Sequence, residues 1–144
     1  MKFSARYAVK LMMITTKGRN ALKVMIDLAR HEGEGFVSLA DIAERQKESL
    51  KYLESSAKTL TAAGLISSAR GKSGGYRLSR KPEEYSVAEI LLSGEGSLAP
   101  VHCLESGAAP CENAGTCMTL PLFKELDEVI MNFLNSKTLK DLIK

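Results

Sequence analysis

The stretch Arg70-Gly71-Lys72-Ser73-Gly74-Gly75-Tyr76-Arg77-Leu78 decides the interpretation of the fold, because it combines basic residues with adjacent glycines. Adjacent glycines permit the positive φ angles of a tight hairpin turn and let the backbone approach a phosphate without an intervening side chain. Leu65-Ile66 upstream and Tyr76-Arg77-Leu78 at its end supply two short strands. The stretch therefore predicts a short basic β-hairpin, which is the shape of the wing in a winged helix.

Two short helices are predicted before this hairpin. Residues 38–41, Ser-Leu-Ala-Asp, resemble a capping box with Asp in the usual place of Glu, so a helix begins there. Ser49 is expected to cap the next helix, and Gly64 to end it in the left-handed conformation. Two short helices joined by a tight turn have the size and order of a helix-turn-helix. The apolar spacing gives each helix one buried face: Leu39, Ile42 and Ala43 in the first, and Leu50, Leu53, Ala57 and Leu60 in the second.

Composition limits the class of protein. With 144 residues, 44% hydrophobic and 26% charged, the chain has the size and composition of a single globular domain. It has no apolar run long enough to cross a bilayer, and its three clustered cysteines do not suit a secreted disulfide framework. We therefore expect a cytoplasmic protein with no membrane partner.

The net charge of +3 is unevenly distributed. Between residues 49 and 81, seven Lys and Arg residues meet a single Glu, as neutralisation of DNA phosphates requires, although a solvated basic face would look the same. The second helix of a helix-turn-helix meets base edges with its N-terminal residues. The predicted DNA-binding residues are therefore Ser49, Lys51, Tyr52 and Glu54 in that helix, and Arg70, Lys72 and Arg77 in the wing. The alternatives are core packing for Tyr52 and a salt bridge for Glu54.

All the cysteines of the chain lie in one stretch without periodicity, residues 93–118. Cys103, Cys111 and Cys117 are spaced C-x7-C-x5-C among Gly and Pro residues, so we expect a long loop, which usually carries function or is disordered. Three thiolates suit an iron–sulfur cluster or zinc, but the spacing lacks the close pairs typical of structural zinc. A loose loop around an open site therefore favours a cluster. The alternatives are inert cysteines or a regulatory disulfide.

Residues 119–135 predict a strongly amphipathic helix after this loop. Its apolar stripe is wider than a small winged helix can cover, so we expect it to hold a homodimer together. A last short turn follows, from which Leu142 and Ile143 can pack back. The predicted dimer contacts are Leu122, Leu126, Val129, Ile130 and Phe133.

The expected fold is mainly α with a small β-hairpin wing, a winged helix-turn-helix followed by a long C-terminal dimerisation helix. Residues 13–92 would form the DNA-binding domain, starting with a helix over residues 16–30. Residues 93–118 would form a sensor loop, and residues 119–144 the dimerisation helix with its C-terminal turn. Residues 1–12 are a candidate N-terminal extension, because residues 6–12 resemble residues 19–25; a duplication, an upstream start codon and coincidence are all open explanations.

With these parts in order, the chain from residue 13 onward resembles the Rrf-two family of winged-helix bacterial repressors. The resemblance rests on Thr16-Lys17-Gly18-Arg19, on Ser49-Leu50-Lys51-Tyr52-Leu53-Glu54, and on the Arg-Gly-x-x-Gly-Gly-Tyr wing at residues 70–76. Phe133-Leu134-Asn135 and Thr138-Leu139 fit the family near the end of the chain. Each motif is modest alone, whereas together and in this order they are specific.

The resemblance implies a cofactor. In the cluster-binding members, three loop cysteines hold an iron–sulfur cluster, and the matching residues are Cys103, Cys111 and Cys117. The positions that supply the fourth ligand in two kinds of member hold Leu120 and Arg19 here. That ligand is therefore unassigned, as is the cluster type, 2Fe-2S or 4Fe-4S, and an aerobically purified sample can lack the cluster. The candidates are His102, Glu105, Glu112 and an external ligand.

The expected function is therefore a dimeric repressor that binds a palindromic operator in double-stranded DNA. Its binding would be controlled by a cluster that senses iron, redox state or nitric oxide. The resemblance also implies that the arginine matching Arg70 enters the minor groove. The alternatives are a thiol-switch or zinc-dependent regulator, or a redox protein that uses the winged helix for protein contacts. No nucleophile–base pair, phosphate loop or carboxylate pair suggests an enzyme.

Overall fold

The computed structural model describes residues 14–143. The fold is mainly helical with a two-stranded hairpin, as the sequence predicts, and the candidate extension over residues 1–12 lies outside the described residues. Two short 3-10 turns, Pro82–Glu84 and His102–Leu104, stand between the main elements. The main elements are α1 Thr16–Arg30, α2 Leu39–Gln46, α3 Leu50–Ala62, β1 Ile66–Ala69, β2 Gly75–Leu78, α4 Val87–Glu95, α5 Leu120–Ser136 and α6 Leu139–Leu142.

Polar side chains begin most of these helices. Ser38, Ser86 and Thr138 each accept a hydrogen bond from the third backbone N–H of their helix, and for Ser38 this is the bond that the capping-box pattern predicts. Ser49 occupies the corresponding position before α3, but its side chain makes no capping bond, so that prediction is wrong. Ser49 is exposed, and water can satisfy the first amides of α3 in its place. Gly64 follows α3 with φ of +75°, the predicted left-handed conformation.

The wing is an antiparallel hairpin in which Ile66 pairs with Leu78 and Ala69 pairs with Gly75. Val37, in the connection between α1 and α2, forms an isolated antiparallel β-bridge with Tyr76 of β2. Its N–H donates to the carbonyl of Tyr76, and its carbonyl accepts from the N–H of Tyr76, both at 2.8 Å. Gly75 is required beside this bridge, since a Cβ there would lie 2.2 Å from the carbonyl oxygen of Val37.

One hydrophobic core lies beneath the helix-turn-helix, with α1 at its centre. Val24 and Met25 of α1 are fully buried there against residues of α2, α3 and β1. From the end of the chain, Leu139 enters this core with no exposed surface, and Ile143 packs against it, whereas Leu142 is 36% exposed. The prediction for Ile143 is therefore confirmed and that for Leu142 is wrong, because α6 turns Leu139 rather than Leu142 inward.

A second, smaller core joins α4 to α5 and to the start of α1. Val87, Leu91 and Leu98 form its centre, and Met131 and Leu134 of α5 pack against it. Glu95, the last residue of α4, accepts hydrogen bonds from the Thr15 hydroxyl at 2.8 Å and from the Gly18 N–H at 3.0 Å. A carboxylate at this place satisfies amides that the first turn of a helix leaves unpaired. The start of α1 is therefore bonded to the end of α4.

Candidate DNA-binding surface and cysteine loop

Helix α3 presents most of the predicted DNA-binding residues to solvent. It is fixed by its inner face, where Leu53, Ala57 and Leu60 are fully buried. The prediction that Leu50 shares this buried face is wrong, because Leu50 lies at the first position of the helix and is 42% exposed. Lys51, Tyr52 and Glu54 are exposed, as is Ser49 just before the helix. Tyr52 keeps 63% of its surface accessible, which excludes the packing alternative in this structure. Glu54 forms no ion pair within residues 14–143, so the salt-bridge alternative is not supported either.

Two further residues of α3, which the sequence predictions did not include, are candidates for DNA contact. Ser55 and Lys58 lie four and seven residues after Lys51, and a helix places such positions on one face. Both are exposed, on the side of α3 opposite its buried residues. The spacing alone could have identified them, because the face opposite an apolar stripe can be read from the sequence. We add Ser55 and Lys58 to the predicted contacts of α3 with DNA.

The wing carries its three predicted DNA-binding residues on exposed positions. Arg70 and Lys72 lie in the turn between the strands, beyond the reach of the core. Arg77 lies on β2, where its guanidinium is 4.5 Å from the ring centre of Phe36. Such stacking orders the long side chain while leaving its N–H groups available to an acceptor. The wing therefore offers two cations at its tip that form no ion pair within residues 14–143, and one ordered cation at its side.

Arg80 belongs to the basic segment but serves the fold. Its guanidinium lies 4.3 Å from the ring centre of Tyr85 and donates a 2.7 Å hydrogen bond to Glu89 of α4. This bond is the main reason that the pKa of Arg80 is raised. The buried Tyr85 hydroxyl donates to the carbonyl of Leu65 at 2.7 Å and accepts from the N–H of Arg80 at 2.8 Å. The base of the wing is thereby fastened to α4, and Arg80 takes part in that connection.

The three cysteines lie on the predicted loop but are not brought together. All are free thiols; Cys103 and Cys111 are exposed and Cys117 is partly buried. Among residues 14–143, no three His, Cys, Asp or Glu side chains converge closely enough to hold a metal ion. Two candidates for the fourth ligand contact each other, since His102 Nδ1 lies 3.0 Å from Glu105 Oε2. A metal or cluster at these cysteines would therefore require the loop to rearrange.

Cys117 differs from the other two thiols in its surroundings. Its sulfur lies 3.3 Å from the hydroxyl of Thr119, just before α5. The hydrogen bond with that hydroxyl, together with the backbone N–H groups of Thr119 and Leu120, lowers the pKa of the Cys117 thiol. A thiol of this kind is a better metal ligand and a better nucleophile than an unperturbed one.

Helix α5 leaves a long apolar stripe in solvent. Leu122, Leu126, Val129 and Phe133 are 61%, 42%, 64% and 59% exposed. Ile130, the fifth predicted dimer residue, is partly buried. Met131 and Leu134 face the other way and fix the helix to α4. The predicted dimerisation surface is therefore held against α4, and it stays exposed in the part of the chain that the structure describes.

Residues 14–144 match the Rrf2 (Rrf-two) family, described as an iron-dependent transcriptional regulator. This chain belongs to the Rrf2 family. The HTH-type transcriptional regulator IscR of Xenorhabdus nematophila is 42% identical over 133 residues, which cover 92% of this chain and 80% of that protein. Among solved structures, CymR (YrzC), the global cysteine regulator of B. subtilis, aligns with a TM-score of 0.74 and 34% identity over 92% of this chain and 97% of its own. The oxidised form of Staphylococcus aureus CymR aligns with a TM-score of 0.70 and 36% identity over 92% and 97%.

Membership of the Rrf2 family establishes the general activity. The relatives are transcription regulators rather than enzymes, and the winged helix with its exposed α3 is the DNA-binding part of such a protein. Within residues 14–143, no helix is both long enough and apolar enough to cross a membrane. The family match and the relatives show that the chain is an Rrf2-family regulator of transcription.

Proposed function

We propose that this protein is a homodimeric cytoplasmic repressor whose binding to a palindromic operator is controlled by an iron–sulfur cluster on Cys103, Cys111 and Cys117. The observation that carries the proposal is the place of the cysteine loop. It begins at the end of α4, which is bonded to the start of α1, and it ends at α5, which presents the exposed apolar stripe. A change in this loop therefore acts directly between the DNA-reading unit and the dimer surface.

The residues of α3 and those of the wing are expected to contact different grooves of the DNA. In the first turns of α3, Lys51 can bind a phosphate or a base, and Glu54 can accept a hydrogen bond from a cytosine amino group in the major groove. Arg70 and Lys72, at the exposed tip of the wing, suit the minor groove and its phosphates. A dimer repeats this arrangement about a two-fold axis, so its operator is palindromic with half-sites about one helical turn apart.

Replacing Lys51 with Ala is expected to weaken DNA binding and to reduce its dependence on salt. If Lys51 neutralises one phosphate, its loss reduces the slope of log affinity against log salt by about one unit. An Arg70→Ala variant is expected to lose affinity through the wing. The measurement is a salt-titrated binding assay on a duplex that the protein selects from a random-sequence pool. Arg30→Ala is the control, because Arg30 is an exposed cation at the C-terminal end of α1 and is not among the predicted DNA contacts. If Arg70→Ala binds as tightly as the wild type, the wing takes no part in recognition.

The donor chemistry of the loop fits an iron–sulfur cluster. Soft thiolates are the preferred ligands of such clusters, and all three thiols are free. The hydrogen bonds that lower the pKa of the Cys117 thiol favour its thiolate form, which is the form that binds a metal. When bound, the cluster would supply redox chemistry and a site open to small molecules. The chain would supply the three thiolates, with the fourth ligand among His102, Glu105, Glu112 and an external molecule.

Exchanging any one of Cys103, Cys111 and Cys117 for Ala is expected to abolish the visible charge-transfer absorption of anaerobically reconstituted protein. Each variant should also change operator affinity and stay folded, because the thiols lie outside both cores. Iron and acid-labile sulfide are measured beside the spectrum. Ser106→Ala, on the same exposed loop, is the control and should retain the absorption. If iron and sulfide are absent from the reconstituted wild type, the cluster proposal fails.

A thiol switch is the second candidate, and one observation favours it. Hydrogen bonds from Thr119 and Leu120 lower the pKa of the Cys117 thiol, and a lowered pKa is the property of a thiol that oxidants attack. The similarity to CymR, which has been solved in an oxidised form, supports the same mechanism. Under this alternative, mild oxidation changes operator affinity in metal-free protein, and Cys117→Ser removes the response. A zinc assay separates the remaining case of a zinc-dependent regulator.

A further inference from the structure

The turn between α2 and α3 is tied to α1 by two sets of side-chain contacts. Asp27 of α1 accepts hydrogen bonds from Arg45 at 2.6 and 3.0 Å and from Gln46 at 3.3 Å, the last two residues of α2. One helical turn earlier, Lys23 forms an ion pair with Glu48 inside the turn itself. Residues 23 and 27 share a face of α1. Together they contact the end of α2 and the turn that leads to α3.

The turn has little else to fix it. Lys47 adopts a left-handed conformation with φ of +54°, which is unfavourable for a residue other than glycine. The bonds that the turn makes by itself are backbone bonds back to α2, from the Glu48 N–H to the carbonyl of Ala43 and from the Lys47 N–H to that of Glu44. Ser49 contributes no side-chain cap. The side chains of α1 therefore add to the buried face of α3 the contacts that hold the turn before it.

The carboxylate of Asp27 is only 2% exposed. Burial acts to raise its pKa, but the hydrogen bonds from Arg45 and Gln46 and the positive charge of Arg45 outweigh burial and hold the pKa below its usual value of 3.8. Asp27 is thus a buried, compensated charge at neutral pH. Such a pair costs stability when one partner is removed, and its directional bonds fix geometry.

We propose that Lys23 and Asp27 are positioning residues for DNA recognition. They hold the turn so that the first residues of α3 meet DNA in one orientation, although both residues belong to α1. Asp27 is shielded from any DNA by its burial. The inference rests on the proposed contact between α3 and DNA, and it adds the residues on which the geometry of that contact depends.

Electrostatics and positioning predict opposite effects for Glu48→Gln. Removing a negative charge next to the recognition helix should strengthen binding to every DNA duplex if charge alone matters. If Glu48 serves through Lys23 to hold the turn, binding to the specific duplex should instead weaken by about threefold, the size expected for a partly exposed ion pair. Binding to a random duplex should be unchanged or tighter, because phosphate contacts do not depend on an exact orientation.

The experiment uses the full chain and a duplex that the wild type selects from a random-sequence pool, with a random duplex of equal length beside it. Lys23→Met, Glu48→Gln and the double variant form a cycle, and the double variant should bind the selected duplex no more weakly than Lys23→Met. Asp27→Asn should weaken selective binding by about tenfold, which lies within the range for coupled sites. Glu44→Gln is the matched control, because it removes the same charge from an exposed residue of α2 whose side chain makes no bond within residues 14–143.

The outcomes are distinct. Positioning is supported if Glu48→Gln loses selectivity while Glu44→Gln does not, with thermal unfolding showing both proteins folded. It is overturned if Glu48→Gln behaves like Glu44→Gln on both duplexes. If Asp27→Asn fails to fold, the cycle between Lys23 and Glu48 still decides. If the wild type selects no duplex at all, the proposed function fails and this inference with it; if it selects one and every variant keeps wild-type selectivity, only this inference fails.

Discussion

The double variant Val129→Asp, Phe133→Asp is expected to be monomeric and to bind its operator at least about a hundredfold more weakly than the wild type. Val129 lies within the exposed stripe on α5 and Phe133 at its C-terminal end, and neither supports the cores of its own chain. Large apolar side chains that become buried in an interface can contribute about 2 kcal/mol or more each, and burying two unpaired carboxylates adds a further cost. A monomer also loses the simultaneous binding of two half-sites.

Sedimentation velocity on the wild type and the variant tests this expectation. The control is Asn132→Asp, Asn135→Asp, which adds the same two charges to exposed positions of α5 away from the stripe. That protein should remain a dimer and stay folded. A wild type that sediments as a monomer at micromolar concentration would contradict the dimer proposal, as would a dimeric Val129→Asp, Phe133→Asp protein.

Gly75→Ala is expected to be the most damaging small substitution in the wing, costing about 3 kcal/mol of the free energy of unfolding. The added Cβ would lie 2.2 Å from the carbonyl oxygen of Val37 and 2.9 Å from the N–H nitrogen of Ser38, both of them backbone atoms that cannot swing aside. The residue also has φ of +146°, a conformation that alanine rarely adopts. The bridge between Val37 and Tyr76 must open, so the wing should move and operator binding should be lost.

The variant Gly71→Ala separates the effect of the positive φ angle from the effect of steric contact with a neighbouring backbone segment. Gly71 has φ of +102° but nothing within 4 Å of an added Cβ, so only conformational strain acts there, worth about 1 kcal/mol. Urea unfolding of the two variants gives the comparison directly. Equal losses of stability would show that contact with Val37 contributes nothing and that the close approach of the two backbone segments has no energetic role.

The local parts of the fold could be predicted from the sequence. Helix α1 spans the predicted residues 16–30, and the capping pattern at residues 38–41 locates the start of α2. The hairpin follows from its glycines and basic residues. These features are local because helix caps, turns and amphipathic periods depend on residues a few positions apart. The exposed stripe of α5 was predictable for the same reason.

The parts that could not be predicted depend on contacts between distant residues. Glu95 binds the start of α1 about eighty residues earlier in the chain, and no periodic pattern indicates it. Arg80 counts as a basic residue in the sequence, but its stacking on Tyr85 and its bond to Glu89 assign it to the fold. The cysteine spacing suggests a site without showing that the thiols lie apart in this structure. The predictions for the DNA-binding residues stay predictions, although all of them are exposed.

The bond between Glu95 and the start of α1 has a consequence for the length of the cysteine loop. That bond holds the beginning of the loop, while Met131 and Leu134 hold the helix into which it leads. The fold therefore fixes the distance between the two ends of the cysteine loop. Binding of one cluster by all three thiols would restrict only the residues inside the loop. Closure entropy grows slowly, by about 0.6 kcal/mol for each doubling of loop length. A longer or shorter interval between Cys103 and Cys111 is therefore expected to change the stability of the winged helix little, so the reach of the cysteines can vary independently of the DNA-binding fold.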